Sequence, residues 1–354
     1  MNVCKKTLLF LVGVVLMISG KSQARYTGAE ITKAGFTYIC LKDSSKSTIS
    51  DSIRFVVNIS LGKPKPLLLF IQGSGNGSII FKGDGFSFSL LSSFTTDSLI
   101  AKYTCVLIGK PFTALVSDMD GLSKTYDTTQ RSFTQFQYED CLSYYVKSAT
   151  QVLEYMAQQP YVDSTRMFVV GHSQGYAVAA KLAADYPRRI KKVACLSAGI
   201  FDRQSGTIMH IREQERGGII THDKAQEYIN AIYEHYSGLK QYVEEKLARE
   251  SGYAPEIASY MNSYSFDYEP ALNNLLKIRI PLLVIYGTND LGSLDNDLLP
   301  LFFTRAGKVN LTMKCYPGYD HNFFSYDCDS EGKVVKENFN WPEVFLFVSN
   351  WLQK

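Results

Sequence analysis

The chain has 354 residues, of which 45% are hydrophobic and 20% are charged, and it contains 25 Gly and 11 Pro. This composition excludes a disordered or low-complexity protein, and the length indicates two domains or one large domain with an insertion. The formal net charge is +3, but three lysines lie in residues 1–24, which hold no acidic residue. The remainder is formally neutral, so charge gives no reason to expect nucleic acid or an anionic membrane as a partner.

Residues 1–24 have the pattern of an export signal. Two lysines come before an apolar run of 11 residues, and the small residues Ser22 and Ala24 follow at a cleavage position. An uncleaved membrane anchor is the alternative, but a spanning helix needs about 18 to 20 apolar residues. We therefore expect cleavage before Arg25, a periplasmic or secreted protein, and no stable membrane insertion after cleavage.

Eight runs rich in β-branched and aromatic residues predict strands, and from the fourth run onward helical patterns separate them. This alternation is typical of parallel strands joined by crossover helices. The later runs are almost continuously apolar, as expected for strands covered on both faces. The predicted strands cover 36–41, 53–59, 67–72, 103–109, 167–171, 192–197, 282–286 and 309–316. The predicted helices cover 133–159, 174–186 and a segment beginning near Pro342.

Residues 202–275 interrupt the alternation after the sixth strand. They are charged, Tyr-rich and helical in pattern, and the segment is too long for an ordinary loop. We predict that it is a helical cap over one end of the sheet. The core of the protein would then consist of 25–201 and 276–354.

The clearest motif is Gly171-His172-Ser173-Gln174-Gly175, between the fifth predicted strand and an Ala-rich helix. It matches the Gly-x-Ser-x-Gly turn in the strand, turn and helix context that this turn requires. So tight a turn excludes side chains at both glycines and exposes the serine hydroxyl at a helix N-terminus, where backbone N–H groups favour developing negative charge. Ser173 is therefore the predicted nucleophile. The alternative is a Gly-rich turn with an incidental serine.

A serine nucleophile needs a base, and a carboxylate usually orients that base. Of the five histidines, His172 lies in the turn and three lie in the predicted cap, which leaves His321 in a loop after the last strand. Asp290 follows the preceding strand most closely and is the favoured carboxylate. The competing carboxylates are those of Asp295 and Asp297.

The tetrahedral intermediate of acyl transfer also needs two N–H donors. One would be the backbone N–H of Gln174, directly after the nucleophile. The other would come from the Gly-rich loop 71–77 after the third strand, where we nominate the N–H of Ser74. This loop lacks the Gly-Lys-Ser/Thr sequence of a phosphate-binding loop, and we expect no cofactor.

Cysteine usage offers little chemistry. Cys40, Cys105 and Cys195 lie within strand-like runs, where we expect them to be buried as small hydrophobic residues. Cys315 and Cys328 bracket a loop and are the better candidates for a disulfide, although sequence alone does not fix a pairing. The chain has no CxxC or HExxH spacing, so we expect no metal site.

Three motifs, each after its own strand, resemble the α/β-hydrolase superfamily. They are Gly171-His-Ser-Gln-Gly175, Gly287-Thr-Asn-Asp290 and Asp320-His321-Asn-Phe-Phe. The resemblance spans residue 36 to the C-terminus and extends to exported bacterial esterases and to the hydrolase domains of prolyl-oligopeptidase-type enzymes. It implies an α/β-hydrolase fold, with a mostly parallel eight-stranded sheet, helices on both faces, and a triad of Ser173, Asp290 and His321. Gln72 and Tyr176 depart from the usual pattern, since His and a small residue are more common there.

The leading hypothesis is a secreted serine hydrolase that cleaves carboxylic esters through an acyl-enzyme intermediate. A peptidase or amidase with the same triad is the close alternative, so the expected partner is a small ester or peptide substrate. A non-catalytic binding protein on the same fold is less expected, because such proteins usually lose a triad member. The sequence predicts no oligomeric state.

Overall fold

The computed structural model describes residues 28–42, 52–60, 62–91, 97–118, 131–249 and 253–354. The predicted export signal, 1–24, lies outside these ranges. Within them, no helix combines the length and the apolar character that crossing a bilayer requires.

The strands of the described residues are numbered in chain order. They are β1 (Thr37–Lys42), β2 (Ser52–Val57), β3 (Lys65–Ile71), β4 (Ile80–Lys82), β5 (Ser87–Ser89), β6 (Thr104–Ile108), β7 (Val116–Asp118), β8 (Val162–His172), β9 (Ile190–Leu196), β10 (Leu282–Gly287), β11 (Leu311–Tyr316), β12 (Phe324–Cys328) and β13 (Val334–Phe339).

The helices are numbered in the same way. They are α1 (Gly28–Lys33), α2 (Asp97–Lys102), α3 (Arg131–Glu139), α4 (Leu142–Met156), α5 (Gln174–Asp185), α6 (Arg203–Arg216), α7 (His222–Arg249), α8 (Met261–Asp267), α9 (Ala271–Leu275), α10 (Leu299–Arg305) and α11 (Trp341–Gln353), with 3₁₀ segments at Pro255–Tyr260 and Leu291–Leu298.

Eight strands form the central sheet, in the order β1-β2-β6-β3-β8-β9-β10-β11. Neighbouring strands are parallel except where β2 pairs with β1 and with β6, so β2 alone runs against the others. These are the eight strands that the sequence predicts, and the prediction of a mostly parallel sheet is confirmed. The carboxyl ends of β3, β8, β9 and β10 therefore meet at one edge of the sheet.

Successive residues of each central strand point to opposite faces of the sheet, and helices cover both faces. On one face, Leu67 and Leu69 of β3 belong to a hydrophobic cluster that includes Leu182 of α5. On the other face, Leu68 belongs to a second cluster, which includes Val348 of α11. All four leucines and Val348 are fully buried. Each contributes about 1.5–3 kcal/mol to folding through the apolar surface that it removes from water.

The helix predicted over 133–159 is in fact two helices. α3 ends at Glu139 and α4 begins at Leu142, and Cys141 between them has an extended backbone. No Gly or Pro marks this break, so the helical periodicity alone did not reveal it. The break places Asp140 where its carboxylate contacts several other elements, as described below.

Two small sheets lie outside the central one. β5, β4 and β7 form a three-stranded sheet in that order, and β12 pairs with β13 as an antiparallel hairpin. Neither was predicted from the sequence. β4 and β5 follow the loop after β3, β7 follows β6, and the hairpin follows His321.

The prediction that Cys40 is buried is wrong. Cys40 is exposed, because β1 is the edge strand of the sheet. Cys315 and Cys328 are not joined in a disulfide. Cys315 packs against the hydrophobic cluster that contains Leu67 and Leu69, whereas Cys328 is exposed at the end of β12. Cys105 and Cys195 are buried, as predicted.

Residues 202–275, the predicted cap, contain α6 to α9 and one of the 3₁₀ segments, and their described parts, 202–249 and 253–275, include no strand. The two ends of this segment meet at its base, where the N–H of Leu272 donates to the carbonyl oxygen of Ile200 over 2.7 Å. The carboxylate of Asp295, after β10, accepts hydrogen bonds from the N–H groups of Ile200 and Phe201 over 3.0 and 3.2 Å. The chain therefore leaves and rejoins the core at a single point.

Candidate active site

Ser173 lies in the turn between β8 and α5, with backbone angles of φ +56° and ψ −122°. Residues with a side chain rarely adopt a positive φ, and such strain is concentrated at functional sites. Hydrogen bonds of 2.9 Å hold the turn on both sides. The N–H of Ser173 donates to the carbonyl oxygen of Leu196, and the N–H of Tyr176 donates to the carbonyl oxygen of Ser173.

The two glycines of the motif allow three chain segments to approach closely. A Cβ atom at Gly171 would lie 2.0 Å from the carbonyl oxygen of Gly175, and one at Gly175 would lie 2.2 Å from the carbonyl oxygen of Ile71. Both atoms belong to the backbone, which cannot yield without moving α5 or β3. The close packing of these elements therefore requires glycine at both positions.

We expect Gly175→Ala to lower the melting temperature sharply or to prevent folding, because its methyl group would force α5 away from β3. Gly238, inside α7, is the matched control, since a Cβ atom there meets nothing within 4 Å. Gly238→Ala should stabilise the protein by about 0.5–1 kcal/mol through helix propensity. Thermal unfolding of both variants checks this. Equal melting temperatures for the wild type and Gly175→Ala would contradict the close approach.

His321 bridges Ser173 and Asp290. Its Nε2 lies 2.9 Å from Ser173 Oγ, and its Nδ1 lies 2.9 Å from Asp290 Oδ2. Ser293 Oγ donates a further hydrogen bond to the same carboxylate oxygen. Because a carboxylate only accepts, Nδ1 of His321 carries the proton and Nε2 is free to accept one from the serine hydroxyl. The structure thus brings together the three side chains that the sequence nominated from three separate strands.

Electrostatics suit the imidazole for proton transfer. Burial alone would lower the pKa of His321, but the hydrogen bond and the charge of Asp290 outweigh it and raise the pKa above its ordinary value. Burial alone would raise the pKa of Asp290, but its hydrogen bonds with His321 and Ser293 lower it overall. The carboxylate is therefore ionised near neutral pH, and it stabilises the imidazolium that forms when Ser173 gives up its proton.

His172, inside the motif, supports the loop that carries His321. It is buried against Trp341, with 4.8 Å between the ring centroids. Its Nε2 donates to the carbonyl oxygen of His321 over 3.0 Å. Burial, with the nearby charge of His321, lowers the pKa of His172 to about 3, so this ring stays neutral.

The competing carboxylates have other partners. Asp295 binds the N–H groups of Ile200 and Phe201, and Asp297 accepts a hydrogen bond from the hydroxyl of Tyr286. Neither is among the hydrogen-bond partners of His321.

The loop after β3 approaches the nucleophile at Gly73. A Cβ atom on Gly73 would lie 3.0 Å from Ser173 Cβ and 3.4 Å from Ser173 Oγ. The backbone of this loop therefore lies near the reacting oxygen at Gly73. The specific donors, Ser74 and Gln174, remain predictions.

Tyr176, which stands where a small residue is more common, lies in the core. Tyr176 is fully buried, and its hydroxyl donates to Asn296 Oδ1 over 2.8 Å, so it serves core packing. Tyr228 and Tyr233 of α7 are 43% and 56% exposed.

A buried polar cluster beside Gln174 escaped the sequence analysis. Lys110, directly after β6, is 4% exposed, and its ammonium donates to Gln174 Oε1 over 2.6 Å. The ammonium also lies 4.0 Å from Asp140 Oδ1 and 4.3 Å from the centroid of the Tyr145 ring. Burial lowers the pKa of Lys110 to about 8, although Asp140 opposes this effect. A lysine at the carboxyl end of a buried strand is the signal that could have revealed it.

Asp140 is the centre of this cluster. Its carboxylate accepts hydrogen bonds from Gln174 Nε2 over 3.2 Å, from the Tyr145 hydroxyl, and from Asn262 Nδ2 over 2.8 Å. Asn262 belongs to α8, so the cluster also joins the core to the predicted cap. Among the described residues, no three His, Cys, Asp or Glu side chains gather as a metal site would require.

The chain matches one family of known proteins. The family model described as serine aminopeptidase, S33, covers residues 120–329, which is more than half of the chain and includes Ser173, Asp290 and His321. No curated protein gives a significant match.

Solved structures share the fold at low sequence identity. A Bacteroides ovatus protein described as a dipeptidyl aminopeptidase IV aligns with a TM-score of 0.54 and 14% identity, over 90% of this chain and 35% of that chain. A Klebsiella pneumoniae protein described as a dienelactone hydrolase aligns with a TM-score of 0.50 and 10% identity, over 90% and 99% of the two chains. A puromycin-hydrolyzing peptidase of Mycobacterium tuberculosis aligns with a TM-score of 0.50 and 11% identity, over 82% and 37%.

The chain thus spans about a third of the length of the Bacteroides and Mycobacterium proteins, and identities this low establish a shared fold alone. The α/β-hydrolase fold predicted from the three motifs is confirmed. With the family model covering more than half of its length, the chain belongs to the serine aminopeptidase S33 family of α/β hydrolases.

Proposed function

We propose that the protein is a serine hydrolase that cleaves carboxylic esters through an acyl-enzyme intermediate. The observation that carries this proposal is the continuous chain from Ser173 Oγ through His321 to Asp290, with 2.9 Å at each step. Nucleophile and base in hydrogen-bond contact, with the base oriented by a third group, is the arrangement that activates a serine hydroxyl.

In the proposed reaction, Ser173 Oγ attacks the ester carbonyl carbon as its proton passes to Nε2 of His321. The backbone N–H groups of Gln174 and of Ser74, in the loop that reaches Ser173 at Gly73, stabilise the oxyanion. The tetrahedral intermediate collapses, the C–O bond to the alcohol breaks, and His321 protonates the leaving oxygen. Water, deprotonated by His321, then attacks the acyl-enzyme and releases the acid and free Ser173.

A peptidase with the same triad is the second candidate, favoured by the family to which the chain belongs. An aminopeptidase needs an acceptor, normally a carboxylate, for the ammonium group of its substrate. None of the described residues that line the cavity beside Gln174 is acidic, and the nearby carboxylate of Asp140 already binds Lys110, Tyr145 and Asn262. This arrangement favours substrates with uncharged acyl groups over aminoacyl substrates.

A substrate panel tests the reaction class. The purified protein is assayed with short-chain, long-chain and sugar acetyl esters. It is also assayed with aminoacyl amides whose leaving groups are detected in the same way as those of the esters. We expect higher kcat/KM for esters, and covalent labelling of Ser173 by a fluorophosphonate. A preference for the amides would replace the esterase with a peptidase. Absence of labelling in well-folded protein would favour a non-catalytic binding protein.

Export is part of this proposal. It is supported by the two lysines, the apolar run and the small residues within residues 1–24. Identification of the N-terminal residue of the protein purified from its native host tests export. An N-terminus near Arg25 is the expected result.

A further inference from the structure

A cavity of about 30 Å³ lies directly beside the nucleophile turn. Gln72, at the end of β3, and Gln174, directly after Ser173, both line it. Gln72 precedes Gly73, the residue whose backbone packs against Ser173. The cavity has room for one or two groups the size of a water molecule. Ser173 itself does not line the cavity, but Gln174 follows it in the chain and Gln72 precedes Gly73. We infer from these two neighbours that part of a substrate held at Ser173 reaches the cavity.

The cavity is rich in hydrogen-bond donors without acceptors. The Nε2 atom of Gln72 is fully buried and has no acceptor among the described residues. Ser148 of α4 is 1% exposed, and its hydroxyl has no partner within the described part of the chain either. Lys110 also lines the cavity, and its ammonium donates to Gln174 Oε1 and has two further protons to donate. Buried polar groups in native proteins are normally paired, so this set predicts a bound acceptor.

The nearby carboxylate does not satisfy these donors. Asp140 already accepts hydrogen bonds from Tyr145, Gln174 and Asn262. Its negative charge balances the positive charge of Lys110, at 4.0 Å. The surroundings of the cavity are therefore electrically neutral overall. An anion placed there would be desolvated without a free counter-charge, whereas a neutral oxygen would be well accommodated.

The position of His321 fixes which part of the substrate can reach the cavity. The leaving oxygen must receive its proton from Nε2 of His321, so the alcohol of an ester lies on the His321 side of Ser173. His321 does not line the cavity, which is bordered by Gln72 and Gln174. We therefore assign the cavity to the acyl part of the substrate.

We propose that Gln72, Ser148 and Lys110 form a subsite for a neutral carbonyl oxygen, of a ketone or an amide, carried on the acyl chain of the substrate. This inference rests on the proposed function, and it narrows the substrate class to esters of oxo or acylamino acids. The walls of the subsite also include the apolar side chains of Phe70, Ile71 and Val178, which suit the methylene groups between the two carbonyls.

Three isosteric substrates test the proposal. They are the 4-nitrophenyl esters of 4-oxopentanoic acid, 4-methylpentanoic acid and succinic acid, which place a ketone, a branched hydrocarbon or a carboxylate at the same distance from the ester. We expect kcat/KM for the ketone to exceed that for the hydrocarbon by about tenfold, because the hydrocarbon leaves the buried donors unpaired. The 3-oxobutanoyl and 5-oxohexanoyl esters, with hydrocarbon partners of equal size, cover the neighbouring chain lengths.

Variants connect the preference to the cavity. Gln72→Leu keeps the size of the side chain and removes the donor, and we expect the ketone-to-hydrocarbon ratio to fall to about one. Ser148→Ala should also lower the ratio. Ser349 of α11 provides the matched control, because its hydroxyl is likewise buried without a described partner but lies outside the cavity. Ser349→Ala should leave the ratio unchanged.

The outcomes separate this inference from the proposed function. A ratio near one at every chain length, with all esters hydrolysed, would overturn the subsite and leave the esterase intact. Faster hydrolysis of the succinyl ester than of the ketone would replace the neutral subsite with an anion site and also overturn the proposal. Absence of hydrolysis of every ester, including simple acetates, would instead contradict the proposed function.

Discussion

Replacing Ser173 by alanine is expected to lower kcat on the preferred ester by about 10⁴- to 10⁶-fold, the range found when a serine nucleophile is removed. Alanine leaves Nε2 of His321 without its hydroxyl partner and leaves no group to form the acyl-enzyme. The fold should persist, because alanine tolerates the positive φ about as well as serine and makes no clash. Steady-state hydrolysis and a thermal melt of the same preparation check both statements.

Ser197 offers a matched control for this variant. It lies at the carboxyl end of β9, has a φ of +48°, and carries a buried hydroxyl without a described partner. Ser197→Ala therefore makes the same chemical change in a similar backbone and should retain the wild-type rate. If the Ser173 variant kept most of its activity, the chemistry would have to lie elsewhere in the molecule.

Asp290→Asn is expected to reduce kcat/KM by about 10⁴-fold and to move its pH dependence. His321 accepts a proton only when neutral, so activity rises as the pH increases through the pKa of His321. Asp290 holds that pKa above the ordinary value of 6.5. Without the carboxylate charge, burial dominates and lowers the pKa of His321. The acidic limb of the profile should therefore shift to lower pH while the plateau falls.

Measuring kcat/KM from pH 4 to 9 for both proteins separates these effects. Asp297→Asn is the control, because Asp297 is exposed and contacts Tyr286 rather than His321. The Asp297 variant should keep the wild-type plateau of kcat/KM and the wild-type pH of the acidic limb. An unchanged acidic limb in the Asp290 variant would show that Asp290 does not set the pKa of His321.

The features that could be predicted from sequence are those that local patterns encode. The eight central strands have apolar runs long enough to be recognised, and each residue of the Ser173, Asp290 and His321 set follows one of these runs directly. In a sheet of parallel strands the carboxyl ends share an edge, so chain order and strand ends were sufficient to bring the three side chains together.

The features that were missed depend on the order of strands and on packing between distant segments. Cys40 appears buried in its own apolar run, and its exposure follows from the edge position of β1. The contact of Lys110 with Asp140 and Gln174 joins segments that follow β6, α3 and β8, and no spacing in the sequence links them. The helix break at Asp140 is stabilised by Tyr145 and Asn262, so its cause lies outside the local sequence.

The hydrogen bond between Leu272 and Ile200 has a consequence for how such a protein diversifies. Since the segment between them begins and ends at the same point, β9 and β10 would remain neighbours if it were shortened or exchanged for another. Substrate range could thus change by exchange of this module without disturbing the strands that carry Ser173 and Asp290. A replacement module would have to supply a donor in place of Asn262 for the carboxylate of Asp140.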